Sequence, residues 1–297
     1  MSRFRHKLEE LALLWLGSVL RHLPREVSIR LGESLGALVY LLGVRTRVAK
    51  DNLARAFPDL SPGQIERMAK SCYRHFGALL AEFARLPLLR RENVEQLVEI
   101  EGRAVLDQSQ ARGKGGIVVS GHLGNWELMG ASAAVLGYPV SYVVTGQENE
   151  LVESLMDRLR EGAGVQIIKR REALKGVIKA LRDNRLVAIL SDQDAHEAGA
   201  FVPFFGRPAS TPRGAAVFAL RTGADLIFAE SHRRDLGKLK VIYELIPQDN
   251  LPADPEQAAC ELTRRFTARL QQAIHHHPEQ WFWMHRRWKT SPPSHKT

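Results

Sequence analysis

Apolar residues in this chain fall into short runs whose period changes repeatedly along the sequence. Ile117–Ser120, Val140–Val144 and Leu186–Leu190 are compact apolar runs bounded by Gly, Pro or charge. They are too short for buried helices and predict buried strands. Helix-period segments separate them. The pattern predicts helices from about Pro62 to Leu86, from Trp126 through Leu128, Met129, Ala133, Val135 and Leu136 to Gly137, from Glu150, from Glu172, and from Pro255 to Ala273. Further strands are predicted near Val165, Leu226 and Val241. Strands alternating with helices predict an α/β domain with a largely parallel central sheet.

Residues 1–50 carry a different pattern. Leu11–Leu20 and Leu35–Val44 are uncharged and mostly apolar, each about ten residues, hence roughly 15 Å of helix against a hydrocarbon core of about 30 Å. Neither crosses a bilayer alone. Arg3, Arg5, Lys7, Arg21, Arg25, Arg30, Arg45, Arg47 and Lys50 collar these runs, which fits helices lying in the interface of an anionic membrane. An ordinary pair of packed helices is the alternative. No small-residue cleavage site follows the first apolar run, which disfavours a signal peptide. Nothing Pro- or Ser-rich divides the chain before Ser291, so residues 51–297 read as one domain behind an N-terminal attachment segment.

The chemistry concentrates in S-G-H-L-G-N-W-E, where His122 is followed by Glu127. In one regular helix these two would stand about 140° apart and could not touch. Gly121 and Gly124 permit a break, and Asn125 is a good N-cap for a helix beginning near Trp126. The histidine then sits on the turn and the glutamate in the first helical turn. There Glu127 could accept the Nδ1 proton and leave Nε2 to take a proton from substrate. A structural histidine beside a dipole-favoured acid is the plainer reading of the same residues.

Other blocks extend the pattern: I-I-K-R at 167–170, S-D-Q-D at 191–194, F-V-P-F-F-G-R-P-A-S-T at 201–211 and W-F-W-M-H-R-R-W-K at 281–289. In this order, together with G-H-L-G-N-W-E, they resemble the lipid A biosynthesis acyltransferase family. The resemblance implies that His122 and Glu127 are the catalytic pair and that Arg170 contacts substrate. It implies a glycerol-phosphate acyltransferase-like three-layer α/β fold, and transfer of an acyl chain from an acyl carrier protein thioester to a hydroxyl of a lipid A precursor at the cytoplasmic face of the inner membrane. One departure stands out. Where the family commonly shows Tyr-Arg-Pro ahead of an Asn, this chain has Val144, Thr145 and Gly146 before Asn149, which keeps open another glycolipid or a lysophospholipid as acceptor.

Direct attack without a covalent enzyme intermediate suits the residues present. Ser120 lacks the G-x-S-x-G elbow, and Cys72 and Cys260 read as small buried hydrophobes, far apart and without metal or disulfide spacing, which suits a reducing cytoplasmic setting. Oxyanion donors are expected from backbone N–H groups after Asn125 and from Arg170. Asp192 and Asp194 follow a strand end, where sites in open α/β sheets gather, and read as positioning groups or as a solvated turn. Thr211-Pro212-Arg213 reads as an N-cap, N1 and a cation that holds a phosphate, or as plain capping. Phe201, Phe204 and Phe205 suit an acyl slot, a membrane-facing loop or a core loop. Trp281, Trp283 and Trp288, interleaved with His285, Arg286, Arg287 and Lys289, suit a membrane interface or closure of the core, in which case Arg286 or Arg287 faces the site. Asn125, Arg170, Asp192, Asp194, Thr211, Arg213 and Arg286 are thus the candidate substrate-binding residues.

The net charge of +9 asks for an acidic partner. No helix-turn-helix, zinc-finger or RNA-recognition signature is present, so lipid phosphates and an acidic carrier protein fit better than nucleic acid. His275–His277 reads as a charge complement to a helix C-terminus before Pro278. No metal or cofactor is expected. The rival from another class is a non-catalytic basic protein that binds membranes through its charged ends.

Overall fold

The computed structural model describes residues 2–234 and 238–293. Four helices open the chain: α1 (Ser2–His22), α2 (Arg25–Leu41), α3 (Thr46–Ala56) and α4 (Pro62–Ala84). A short α5 (Val94–Leu97), β1 (Val98–Glu101) and α6 (Arg103–Ala111) lead into β2 (Gly116–Ser120) and α7 (Trp126–Val135). The alternation continues through β3 (Val140–Val144), α8 (Glu150–Gly162), β4 (Gln166–Lys169), α9 (Ala173–Arg182) and β5 (Leu186–Leu190). A separate hairpin, β6 (Ala200–Phe204) and β7 (Arg207–Thr211), precedes α10 (Gly214–Thr222), β8 (Asp225–Arg233), β9 (Leu239–Leu245) and α11 (Pro255–His276).

The central sheet has seven strands in the order β1-β9-β8-β2-β5-β3-β4. Strands β8, β2, β5, β3 and β4 run parallel; β9 returns antiparallel to β8 and carries β1 alongside. Both faces are covered, as a parallel sheet requires. Ile117 and Val119 point into a core with α9, α10 and α11, and the intervening Val118 points to Leu128, Met129 and Leu106 on the other face. The α/β architecture follows the expectation from the sequence. The carboxyl ends of β2 and β5, which are neighbours in register, bring residues 121–125 and 191–194 together.

Helix α2 lies on α4 with its backbone in contact. A Cβ on Gly32 or Gly36 would collide with the carbonyl oxygens of Gly77 and Tyr73, so small residues at a spacing of four let the two helices approach as in G-x-x-x-G pairs. The outward faces of α1 and α2 are apolar: Phe4, Trp15, Leu41 and Leu42 are among the most exposed large hydrophobic side chains. Among the described residues no single helix is long and apolar enough to cross a membrane, although α2 and α3, bent by 93°, pass that test together.

The C-terminal tail turns inward. Trp281 and Trp283 are buried to 1% and 0% exposure, with Trp281 at 4.6 Å from Trp283 and 5.5 Å from Phe204, ring centre to ring centre. These tryptophans close the core; Phe204 and Phe205 join them there. Thr211, expected as an N-cap, instead ends β7, and α10 begins at Gly214 with no side-chain cap. The hairpin explains the difference: pairing of Ala200 with Thr211 takes that residue into the ladder.

Candidate active site

The turn between β2 and α7 is held from three sides. From the tail, the Gly124 N–H donates to the Gln280 carbonyl and the Phe282 N–H to the His122 carbonyl, at 2.9 and 3.0 Å. From β8, Ser231 Oγ accepts from the Asn125 N–H at 3.0 Å. From α4, His75 Nε2 donates to the Gly124 carbonyl at 2.9 Å, and Glu82 accepts from Asn125 Nδ2 at 2.7 Å. Gly124 has φ +62°, and a Cβ there would strike Ser231, so the turn tolerates only glycine at this point. Asn125 caps α7 as predicted, accepting from the Leu128 N–H at 3.0 Å. It is fully buried with both ends of its amide engaged, which corrects its assignment as a substrate contact.

His122 donates from Nδ1 to Asp192 Oδ1 at 2.7 Å, and its backbone N–H donates to Asp192 Oδ2 at 2.7 Å. Trp281 Nε1 donates to the same Oδ2 at 2.8 Å. Asp192 is buried, which on its own would raise its pKa; the His122 charge and these hydrogen bonds prevail and hold it down at about 2. Asp192 is therefore a carboxylate whose position is fixed by both backbone and side chain. The ring nitrogen left for chemistry is Nε2. The imidazole packs against Trp126 at 4.8 Å and Phe282 at 6.1 Å.

Glu127 is not the partner of that imidazole, contrary to the expectation from spacing. It lies buried in the first turn of α7 and accepts from Arg160 Nε at 3.0 Å and Nη2 at 2.5 Å. The helical turn that begins at Trp126 sends its side chain toward α8, while the Trp126 ring occupies the space beside His122. Arg160 also lies over the Phe83 ring at 5.4 Å. The pair ties α8 to α7.

A cavity of about 720 Å³ opens beside His122. Arg170 and Arg213 line it on its exposed side, the buried Glu127 and its partner Arg160 line it as well, and Val118, Ala133 and Leu186 form an apolar stretch between α7 and the sheet. Tyr142 spans this stretch, its hydroxyl donating to the Trp126 carbonyl at 3.2 Å. Val144 and Thr145, the segment that departs from the family pattern, line the cavity too.

The remaining candidates divide. Asp194 accepts from Thr290 Oγ1 at 2.8 Å and from its N–H at 3.2 Å, fastening the tail to the loop after β5. Arg213 is half-exposed and paired with Glu256. Thr211 is interior, where its hydroxyl meets Arg287. Arg286 is exposed and lies outside the cavity wall. Arg287 does not face the site either: it is buried over Phe204 and donates to the Ser210 carbonyl at 2.5 Å. Cys72 is buried, its thiol pushed up to about 12 by desolvation, as befits a packing residue. His276 ends α11, with His277 as C-cap.

Gln280, Trp281 and Phe282 as clamps of the turn, and His75 and Glu82 beneath it, were not singled out as site residues from the sequence. Of these, only the dense aromatic run at 281–283 offered any local signal.

Residues 3–290 match the family described as bacterial lipid A biosynthesis acyltransferase. The chain is 28% identical over 285 residues to the lipid A biosynthesis palmitoleoyltransferase of Escherichia coli (strain K12), covering 95% of this chain and 90% of that protein. It is 28% identical over 287 residues to the lipid A biosynthesis lauroyltransferase of the same organism, with 94% and 92% covered. It is also 26% identical over 277 residues to a phosphatidylinositol mannoside acyltransferase of Mycobacterium tuberculosis (strain ATCC 25618 / H37Rv), with 90% and 84% covered.

Proposed function

The chain belongs to the bacterial lipid A biosynthesis acyltransferase family, and on that premise we propose that it transfers a fatty acyl chain from an acyl carrier protein thioester to a hydroxyl of a lipid A precursor, with His122 as general base. The observation that carries this reading is the His122–Asp192 pair beside a cavity that joins charged groups to an apolar stretch along the sheet. Membership of an enzyme family sets aside the alternative of a non-catalytic membrane-binding protein.

The acyl chain lies in the slot between α7 and the sheet, gaining about 0.8 kcal/mol for each buried methylene. The acceptor hydroxyl meets the thioester carbonyl at the mouth. His122 Nε2 takes the hydroxyl proton as the oxygen attacks, and Asp192 stabilises the imidazolium through Nδ1. Collapse of the tetrahedral intermediate breaks the carbon–sulfur bond, and Nε2 returns the proton to the thiolate. The products are an ester and the free carrier thiol. Arg170 and Arg213 meet the lipid phosphates at the mouth. Glu127 serves through Arg160, which holds the α8 wall of the cavity in place.

The exposed apolar faces of α1 and α2, edged by Arg45 and Arg47, sit in the headgroup region of the inner membrane at its cytoplasmic face. This places the cavity within reach of a lipid acceptor and a soluble donor.

The test is acyl transfer by purified protein given mixed acyl carrier protein and coenzyme A thioesters with a lipid A precursor, read by mass spectrometry of the lipid. Wild type should add one chain, and His122→Ala should add none. Transfer only to a mannosylated phosphatidylinositol or a lysophospholipid would replace the acceptor; the Val144–Gly146 departure and the mannoside acyltransferase relative are the reasons to include them. Undiminished transfer by His122→Ala would remove the base.

A further inference from the structure

Four residues form a polar strut, buried at Glu82 and Asn125, between the N-terminal helices and the His122 turn. Glu82, in the last turn of α4, is 5% exposed. On one side it accepts from Arg25 Nη2, at the first residue of α2, at 2.6 Å. On the other it accepts from Asn125 Nδ2 at 2.7 Å and from Arg233 at 3.0 and 2.5 Å. Asn125 is the cap of α7 and stands three residues from His122. Next to the strut, Arg85 donates to the Leu20, Arg21 and Leu23 carbonyls at 2.5, 3.2 and 2.8 Å, which binds the elbow between α1 and α2 to the end of α4.

A surface anchor needs none of this. Apolar packing alone would hold α2 on α4, and the glycine contacts at Gly32 and Gly36 already do so. A buried carboxylate, by contrast, is costly unless all its lone pairs are answered, and here one of the answering cations comes from the N-terminal helices. Removing Arg25 leaves Glu82 to shift toward Arg233, and Asn125 with it.

We infer that Arg25 and Glu82 are positioning residues for the transfer reaction: the N-terminal helices hold the His122 turn in its working geometry through Arg25, Glu82 and Asn125, in addition to meeting the membrane. The inference rests on His122 being the base. Displacements of about 1 Å in such a turn can cost on the order of 100-fold in rate.

The experiment compares wild type, Arg25→Ala, Arg25→Lys, Glu82→Gln and His122→Ala as full-length proteins in detergent, where recruitment to a bilayer is not a variable. Steady-state transfer is measured from acyl carrier protein thioester to the acceptor that wild type acylates. Binding to vesicles of phosphatidylethanolamine and phosphatidylglycerol is measured separately. Arg25→Ala and Glu82→Gln should lower kcat by at least about tenfold with KM and vesicle binding unchanged, and Arg25→Lys should recover most of the loss. Unchanged kcat in Arg25→Ala overturns the inference, as does a loss confined to KM or one that tracks vesicle binding. If Arg25→Ala does not fold, Arg25→Gln, which keeps the stem and drops the charge, decides in its place. An inactive His122→Ala beside a fully active Arg25→Ala removes the strut alone; an active His122→Ala removes the base and the strut together.

Discussion

Two buried carboxylates lie close to the His122 turn, and their partners differ. Asp192 meets an imidazole that retains a free nitrogen, while both Oδ atoms are fixed by groups from the turn and the tail. Glu127 meets a guanidinium with two parallel hydrogen bonds and has no open function left. In the proposed reaction the first serves the proton transfer; the second ties α8 to α7 through Arg160. A carboxylate contributes to proton chemistry through the group it orients, and its burial or its nearness to the histidine in sequence does not decide that role.

Substitution separates the two carboxylates. The largest effect is expected from Asp192→Asn, which reverses the hydrogen bond to Nδ1 and favours the wrong tautomer; kcat should fall on the order of 10³- to 10⁴-fold in the transfer assay. Glu127→Gln should act on stability first, by about 3–5 kcal/mol in denaturant unfolding, because Arg160 is left charged and only 12% exposed. Adding Arg160→Met should return part of that stability, and a double-mutant cycle measures it. Should Glu127→Gln instead reproduce the rate loss of Asp192→Asn with unchanged unfolding, the contrast between the two carboxylates is lost. Trp281→Phe removes the indole donor to Asp192 and should lower stability by about 1–3 kcal/mol with a smaller rate loss than Asp192→Asn.

A last effect concerns pH. Burial and the neighbouring Arg233 charge lower the pKa of His75, beneath the turn, to about 4. Between about 4 and its ordinary value of 6.5, the unfolded chain binds a proton that the folded chain does not. Stability should therefore fall as pH drops through that window, by about 1.4 kcal/mol per pH unit for one such group, and be complete above it. His232, lowered to about 4 by burial and by His277, adds to the same slope. His75→Gln keeps a donor for the Gly124 carbonyl and should flatten the slope in thermal melts without abolishing it.

Much of this molecule was legible in the chain. Val140–Val144 and Leu186–Leu190 are strands with the boundaries their apolar runs indicate, and Asn125 caps α7, because these features are local. The partner of His122 was not local. Asp192 lies 70 positions away, and only the register of β2 beside β5 brings it to the turn. Its place after a strand marked it as a positioning candidate without identifying what it positions. The β6–β7 hairpin has no sequence signature because its turn is Phe205-Gly206, with φ of 50° and 69°; a phenylalanine in the left-handed region gives none of the usual Asn-Gly signal. The tail's alternation of tryptophan and cation fits an interface as well as a core, and packing against Phe204 decides for the core. Arg160 carries no motif at all.

The backbone contact between α2 and α4 separates address from architecture. Because glycines and carbonyls make that contact, the outward side chains of α2 take no part in it and can be rewritten freely. Replacing Leu38, Leu41 and Leu42, all at least half-exposed, with polar residues should give a form that stays folded in plain buffer. Calorimetry, titration and crystallisation without detergent would follow from such a form.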